Sequence, residues 1–193
     1  MTDTERARTL ADRFWDELLG DEPLLATAVG DERFDDRLPD PGEAGRARRH
    51  DRSRAALREL GQIDRAGLDE DLRTTLDMLE SIAHREVAEI EHRLDRLHVV
   101  SHLWGPGQLL AEIASFQRAD TPERLERLLA RLSATPTYYR SVAEVAGEGA
   151  SAGVTAPRLV VERTIAQVER LLEVGAEGSP ALRPVPGYDA RGR

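Results

Sequence analysis

Apolar positions recur along the chain at intervals of three and four, a spacing that predicts helices, and no strand pattern appears. The longest series is Leu72, Leu76, Leu79, Ala83, Val87, Ile90, Leu94 and Leu97, which at about 100° per residue falls on one stripe. It predicts one long central helix, about 69–102, that breaks at Leu103-Trp-Gly-Pro-Gly-Gln108. Asp69, Glu70 and Asp71 at its start complement the positive end of the helix dipole. A second stripe, Asp77, Glu80, His84, Glu91, Asp95, His98 and His102, runs beside the apolar one and faces either a cleft or solvent.

Shorter helices are expected to pack around this one. Leu10, Phe14, Trp15 and Leu18 mark a helix over about 4–19 that Gly20 closes, and Leu24, Leu25, Ala28 and Val29 mark a short one that stops at Gly30. Asp31 to Pro39 reads as an ordered, salt-bridged loop anchored by Phe34 and Leu38. An Arg-dense helix over about 41–63 turns Ala47, Leu57, Leu60 and Ile63 inward and scatters its arginines around its circumference. Leu109, Leu110, Ile113 and Phe116 predict a further helix. Asp120, as N-cap, and Glu123, closing a capping box, open another that ends at Thr135-Pro136. Pro136 then launches a helix through Tyr138, Tyr139, Val142 and Val145, and Gly147, Gly149 and Gly153 read as a mobile connection. Thr155-Ala-Pro157 starts the last helix, with Val160, Val161, Ile165, Val168, Leu171 and Leu172 as its buried face. The fold class is all-α, an irregular multi-helix bundle around one long central helix. Residues 1–176 are expected to form a single helical domain and 177–193 a flexible tail rich in Pro, Gly and Arg.

The 193 residues suit one domain with an ordinary core, and 40% hydrophobic with 33% charged residues argues for a folded, soluble chain. With aromatics at only 4%, the core must be mostly aliphatic, which suits helix packing better than base stacking. A net charge of -9 repels phosphate backbones and anionic membranes, so neither nucleic acid nor membrane is an expected partner. The absence of Cys excludes disulfides and thiolate chemistry, and with no Lys all 27 basic residues are Arg. No signal peptide or membrane-length apolar run is recognisable, so the expected compartment is the cytoplasm.

Candidate chemistry concentrates at the end of the long helix. If the helix persists through Ser101, His98 and His102 project from one face with Asp95 a turn earlier, an Asp-x-x-His-x-x-x-His pattern able to ligate a metal. The competing reading has His98 capping helix-end carbonyls and His102 packing beside Trp104. Trp104, Gln108, Tyr138 and Tyr139 are the candidate ligand contacts, since Gly105 and Gly107 permit close backbone approach and one of two consecutive tyrosines must turn away from the core. No nucleophile elbow, phosphate loop, dinucleotide fingerprint or His-Glu-x-x-His helix is present, and no catalytic residue is assigned.

Four segments, in order, resemble the N-terminal helical region of the bacterial "domain of unknown function 885" family. They are Leu24-Leu-Ala-Thr-Ala-Val-Gly-Asp-Glu-Arg-Phe-Asp-Asp-Arg-Leu38, Asp71-Leu-Arg-Thr-Thr-Leu-Asp-Met-Leu-Glu80, Leu103-Trp-Gly-Pro-Gly-Gln108 and Gly153-Val-Thr-Ala-Pro-Arg-Leu-Val-Val-Glu-Arg163. Members are similar to zinc metallopeptidases, and their zinc helix lies downstream of the matched region. The resemblance implies a non-catalytic helical domain that walls a substrate cleft, present as a truncated homologue, an excised piece or half of a split protein. It implies no cofactor for this chain, zinc belonging to the portion beyond. The partner it implies is a complementary zinc-motif chain, or else a second copy, docked on an exposed apolar face. The alternatives are a stand-alone module binding a small molecule or peptide, and a metalloenzyme using Asp95, His98 and His102.

Overall fold

The computed structural model describes residues 2–103 and 105–185. Among them are eight α-helices, two 3-10 turns (Glu32–Phe34 and Pro180–Leu182) and no strand, an all-α fold as the periodicity predicts. The helices are α1 (Asp3–Asp21), α2 (Pro23–Ala28), α3 (Glu43–Leu60), α4 (Glu70–Glu91), α5 (Asp95–His98), α6 (Leu109–Phe116), α7 (Pro122–Ser151) and α8 (Arg158–Val174). They fall into two units: Met1–Asp21 with Glu43–Leu94, and Glu22–Gly42 with Asp95–Arg193.

The first unit is α1, α3 and α4. Asp69 caps α4 by accepting from the Leu72 amide at 2.8 Å, and Leu72, Leu76, Leu79, Ala83 and Val87 are buried as the stripe requires. The first four of them meet Leu10, Phe14 and Leu18 of α1 and Ala56 and Leu60 of α3. The central helix ends much earlier than position 102, at Glu91, because Arg93 adopts a left-handed φ of 58°. Leu94 is accordingly exposed, and the periodicity that continues through Leu97 belongs to the separate, one-turn α5.

α3 also corrects the sequence reading. Ala47 is exposed, whereas Arg52 is buried at 7% exposure, a position that a scattered arginine would not be expected to take. Two acids explain it: Arg52 donates from Nη1 to Asp21 of α1 and from Nη2 to both Glu86 oxygens of α4 at 2.7 Å, with its guanidinium 5.3 Å above the Phe14 ring. A buried charge survives only when so compensated. The acidic and His stripe of α4 turns outward instead of lining a cleft: Asp77 and Glu80 both pair with Arg65, Glu91 pairs with Arg54, and His84 is exposed.

In the second unit, Leu109, Ile113, Ala119 and Leu128 form the centre, with Leu24, Leu38, Leu125, Leu132 and both tyrosines packed on it. Thr121, one residue later than expected, caps α7 by accepting from the Arg124 amide, while Asp120 pairs with Arg124 and Arg118. Pro136 does not end a helix: α7 runs through it for 30 residues. Leu128 and Leu132 before it, and Tyr138 and Tyr139 after it, pack on one core, which holds the helix on both sides of the proline. Gly147 and Gly149 lie inside α7, so the connection to α8 is 152–157, where Gly153 takes a φ of 72°. Part of the segment 177–193 is structured. Pro180–Leu182 makes a 3-10 turn, Ala181 is buried and Val185 packs on the core, while 186–193 lie outside the described residues.

α8 is rotated from its expected orientation. Thr164 is buried, Gln167 reaches the His102 carbonyl, and Ile165 and Leu172 are 51% and 76% exposed. The predicted stripe is present, but its edge bearing Ile165 and Leu172 is left uncovered within this unit.

Candidate functional site

Arg131, in the middle of α7, has no exposed surface. Its Nε donates to the Arg37 carbonyl at 2.7 Å and its Nη1 to Gln117 Oε1 at 2.9 Å, while Nη2 reaches the Phe34 carbonyl at 2.8 Å and Thr27 Oγ1 at 2.9 Å. Asp35, also buried, supplies the countercharge at 3.7 Å and accepts from Thr27. Burial pushes the Arg131 guanidinium down to about 10, opposed by the charges of Asp35 and Asp36. Every group here is committed to holding the loop after α2 against α7. The same loop is pinned again by Arg124, whose guanidinium meets Glu32 at 2.6 Å and holds that carboxyl below the usual range.

The residues singled out from sequence do not form one constellation among the described residues. Trp104 lies outside the described residues. Gln108 donates from Nε2 to the His102 carbonyl at 3.5 Å. Tyr139 spends its hydroxyl on the Pro106 carbonyl at 2.7 Å, and Tyr138 meets its ring edge-on at 5.6 Å. Tyr138 borders a small cavity of about 160 Å³ with Leu38 and Pro41, and burial, with Tyr139, Glu112 and Glu22 nearby, pushes its phenol up to about 12.

His98 and His102 do not share a helix face, because α5 ends at His98. Among the described residues no group of three or more His, Asp or Glu side chains is close enough to hold a metal ion. The two imidazoles come together differently, as parts of the wall of one cleft. The cleft has a volume of about 740 Å³ and lies between the segment 97–103 and the start of α8. Its apolar surface comes from Leu97, Val100 and Leu103 on one side and Ala156, Pro157 and Val160 on the other. His98, Ser101, His102 and Thr155 are its polar points, and no Asp or Glu is among the described residues lining it.

Local chemistry builds both walls. Gly105 is required beside the first, since a Cβ there would stand 2.2 Å from the Ser101 carbonyl oxygen. Pro157 is the N-cap of α8, just ahead of the first helical residue, where its missing N–H costs no intrahelical bond. Gln167 ties the walls together by donating to the His102 carbonyl at 2.9 Å. Sequence reasoning missed the α8 wall: Thr155-Ala-Pro157 was legible as a helix start, but nothing in the spacing told where that start would land.

A second cavity, in the first unit, is of about 770 Å³ and has charged walls, including Arg13, Glu17, Asp21, Arg48, Arg52 and Glu59. Those charges neutralise one another: Arg13 pairs with Glu59 at 2.8 Å, and Arg48 and Arg52 both pair with Asp21. It offers a ligand little that its own walls do not already satisfy.

The model of the family described as "Bacterial protein of unknown function (DUF885)" matches residues 23–191. The chain belongs to the DUF885 family. Comparison with curated proteins and with solved structures finds no match. Family membership thus agrees with the resemblance carried by the four segments above, and in this DUF885 chain three of those segments supply parts of the second unit. No described helix is long and apolar enough to cross a membrane.

Proposed function

We propose that this DUF885 chain is a non-catalytic binding module whose working site is the cleft between the segment 97–103 and α8. The observation that carries the reading is the cleft itself: about 740 Å³, mostly apolar, inside one unit. That volume is typical of small-molecule sites, in which an apolar wall supplies affinity and a few polar groups orient the ligand. Calorimetric titration with an uncharged aliphatic probe, octan-1-ol, tests the reading. Wild type is expected to bind it and Ala156→Trp, which fills the cleft, to lose it. Equal binding by both, or none by either, overturns the assignment.

A second reading is favoured by α8. Val161, Ile165, Val168 and Leu172 recur at helical spacing, with Ile165 and Leu172 exposed, a face of the kind that docks on another protein. Here the chain acts as the cleft-walling part of a zinc-metallopeptidase-like assembly, joined by a complementary zinc-motif chain. Co-purification with such a chain, lost on Ile165→Glu/Leu172→Glu, is the expected result; retention of the complex by that double variant excludes this face.

A further inference from the structure

Beside His102 an arginine stands next to the cleft. His102 forms part of its wall, and Arg163 Nη1 stands 3.5 Å from His102 Nε2. Arg163 follows Val160 by three residues on α8, so it lies one turn beyond an apolar wall residue on the same side of the helix. A guanidinium only donates, so a hydrogen bond at this contact uses the Nε2 lone pair. Nδ1 is itself buried without a hydrogen-bond partner among the described residues. No described carboxylate lies within ion-pair distance of Arg163, and its near acidic neighbour Glu162 is engaged by Arg158 at 3.1 Å. In a chain of net charge -9, an exposed arginine beside an apolar cleft, resting on an imidazole instead of on an acid, is placed to pair with an anion.

We propose that the cleft takes an aliphatic carboxylate, with its hydrocarbon among Leu97, Val100, Ala156 and Val160 and its carboxylate paired with Arg163. This rests on the apolar-cleft reading above and adds the charge of the ligand. Two sources share the chemistry: a free fatty acid, and the C-terminal residue of a peptide ending in a large aliphatic side chain. Apolar walls without acids accept the hydrocarbon of either, and the arginine distinguishes either from its neutral counterpart.

The test is calorimetric titration of the full chain with two pairs of probes: octanoate against octan-1-ol, and N-acetyl-Leu-Leu as free acid against its amide. Arg163 is exposed, so Arg163→Gln is expected to fold, with circular dichroism as the check. In Arg163→Gln the affinity for the acid falls about fivefold, the scale of one solvent-accessible ion pair, while affinity for the neutral probe stays unchanged. Arg163→Glu, which reverses the charge, loses the acid further. A loss confined to octanoate identifies a fatty acid, and one confined to the peptide acid identifies a peptide C-terminus. If the acids bind no differently in Arg163→Gln while octan-1-ol still binds, the carboxylate assignment falls and the apolar cleft stands. If none of the four probes binds wild type, both fall together.

Discussion

Arg131 Nη2 stands 3.7 Å from the Asp35 carboxylate, both side chains essentially without solvent, and Thr27 bridges them by donating to Asp35 at 2.6 Å while accepting from Arg131 at 2.9 Å. The pair joins a loop to a helix nearly a hundred residues away in sequence. Its net worth comes less from the Coulomb attraction than from the backbone carbonyls of Phe34 and Arg37, which Arg131 satisfies as it neutralises Asp35.

Arg131→Met therefore leaves a buried carboxylate and several buried acceptors unmatched. The expected cost is about 3–5 kcal/mol, read from urea unfolding. Arg131→Lys recovers little of it, because an ammonium cannot span acceptors arranged around a planar fork. A loss below about 1 kcal/mol in Arg131→Met contradicts this account.

These two arginines show how far the sequence could be read. The Leu72-to-Val87 stripe was legible because a helix buries residues by period, and the structure buries all five of its members. Arg52 and Arg131 were not, since their burial depends on Asp21, Glu86 and Asp35, acids brought to them only by tertiary folding. The helix end at Glu91 was hidden for a related reason: the apolar period carries on through Leu94 and Leu97, and only a left-handed Arg93 marks the break. The cleft was half-legible. His98 and His102 stand out in the sequence for a helical geometry that they do not have, and the spacing puts Val160 on a core face and says nothing of Arg163.

Pro136 sits inside α7 with no N–H to give the Leu132 carbonyl. Pro136→Ala restores that donor, while the unfolded chain regains some freedom that proline had removed, worth about 0.5–1 kcal/mol in the opposite sense. The restored bond and relieved ring contact outweigh it, since an interior proline costs about 3 kcal/mol. The variant is expected to gain about 1–2 kcal/mol by urea unfolding. A destabilised Pro136→Ala shows that the core contacts on either side depend on a bend at this residue.

Gly147 and Gly149 give opposite outcomes on the same helix. A Cβ at Gly147 meets nothing within 4 Å, so Gly147→Ala stabilises by up to about 1 kcal/mol through helix propensity alone. At Gly149 a Cβ would stand 2.5 Å from the Val154 carbonyl oxygen and 3.3 Å from Arg96 Cβ. Gly149→Ala thus costs about 1–3 kcal/mol despite the better propensity. Arg96 belongs to α5, which also carries Leu97 and His98 of the cleft wall. Gly149→Ala is expected to weaken octan-1-ol binding as well, and Gly147→Ala to leave it unchanged. Titration of both variants beside their unfolding curves checks the contrast.

Glu112 on α6 sets a pH dependence of its own. Burial raises its carboxyl above the ordinary 4.5, and no arginine offsets it; Tyr138 and Glu22, the groups that share its surroundings, supply no positive charge. The sign follows from linkage. Below 4.5 the folded and unfolded chains both carry the protonated acid, so Glu112 costs nothing there. As pH rises from 4.5 through the raised folded value, the unfolded chain ionises freely and the folded one must either keep the proton or hold a partly desolvated charge. The stability contributed by Glu112 is lost across that window and does not return at higher pH. Glu112→Gln keeps the shape without the charge, so its stability relative to wild type should be near zero at pH 4 and increasingly positive towards pH 7. Urea unfolding of the two proteins side by side isolates this difference from the acids held low by arginine, such as Glu32 and Asp120, which act in the opposite direction and are common to both. A difference that does not vary with pH, or one that favours wild type at pH 7, shows that the Glu112 charge is compensated in the folded chain.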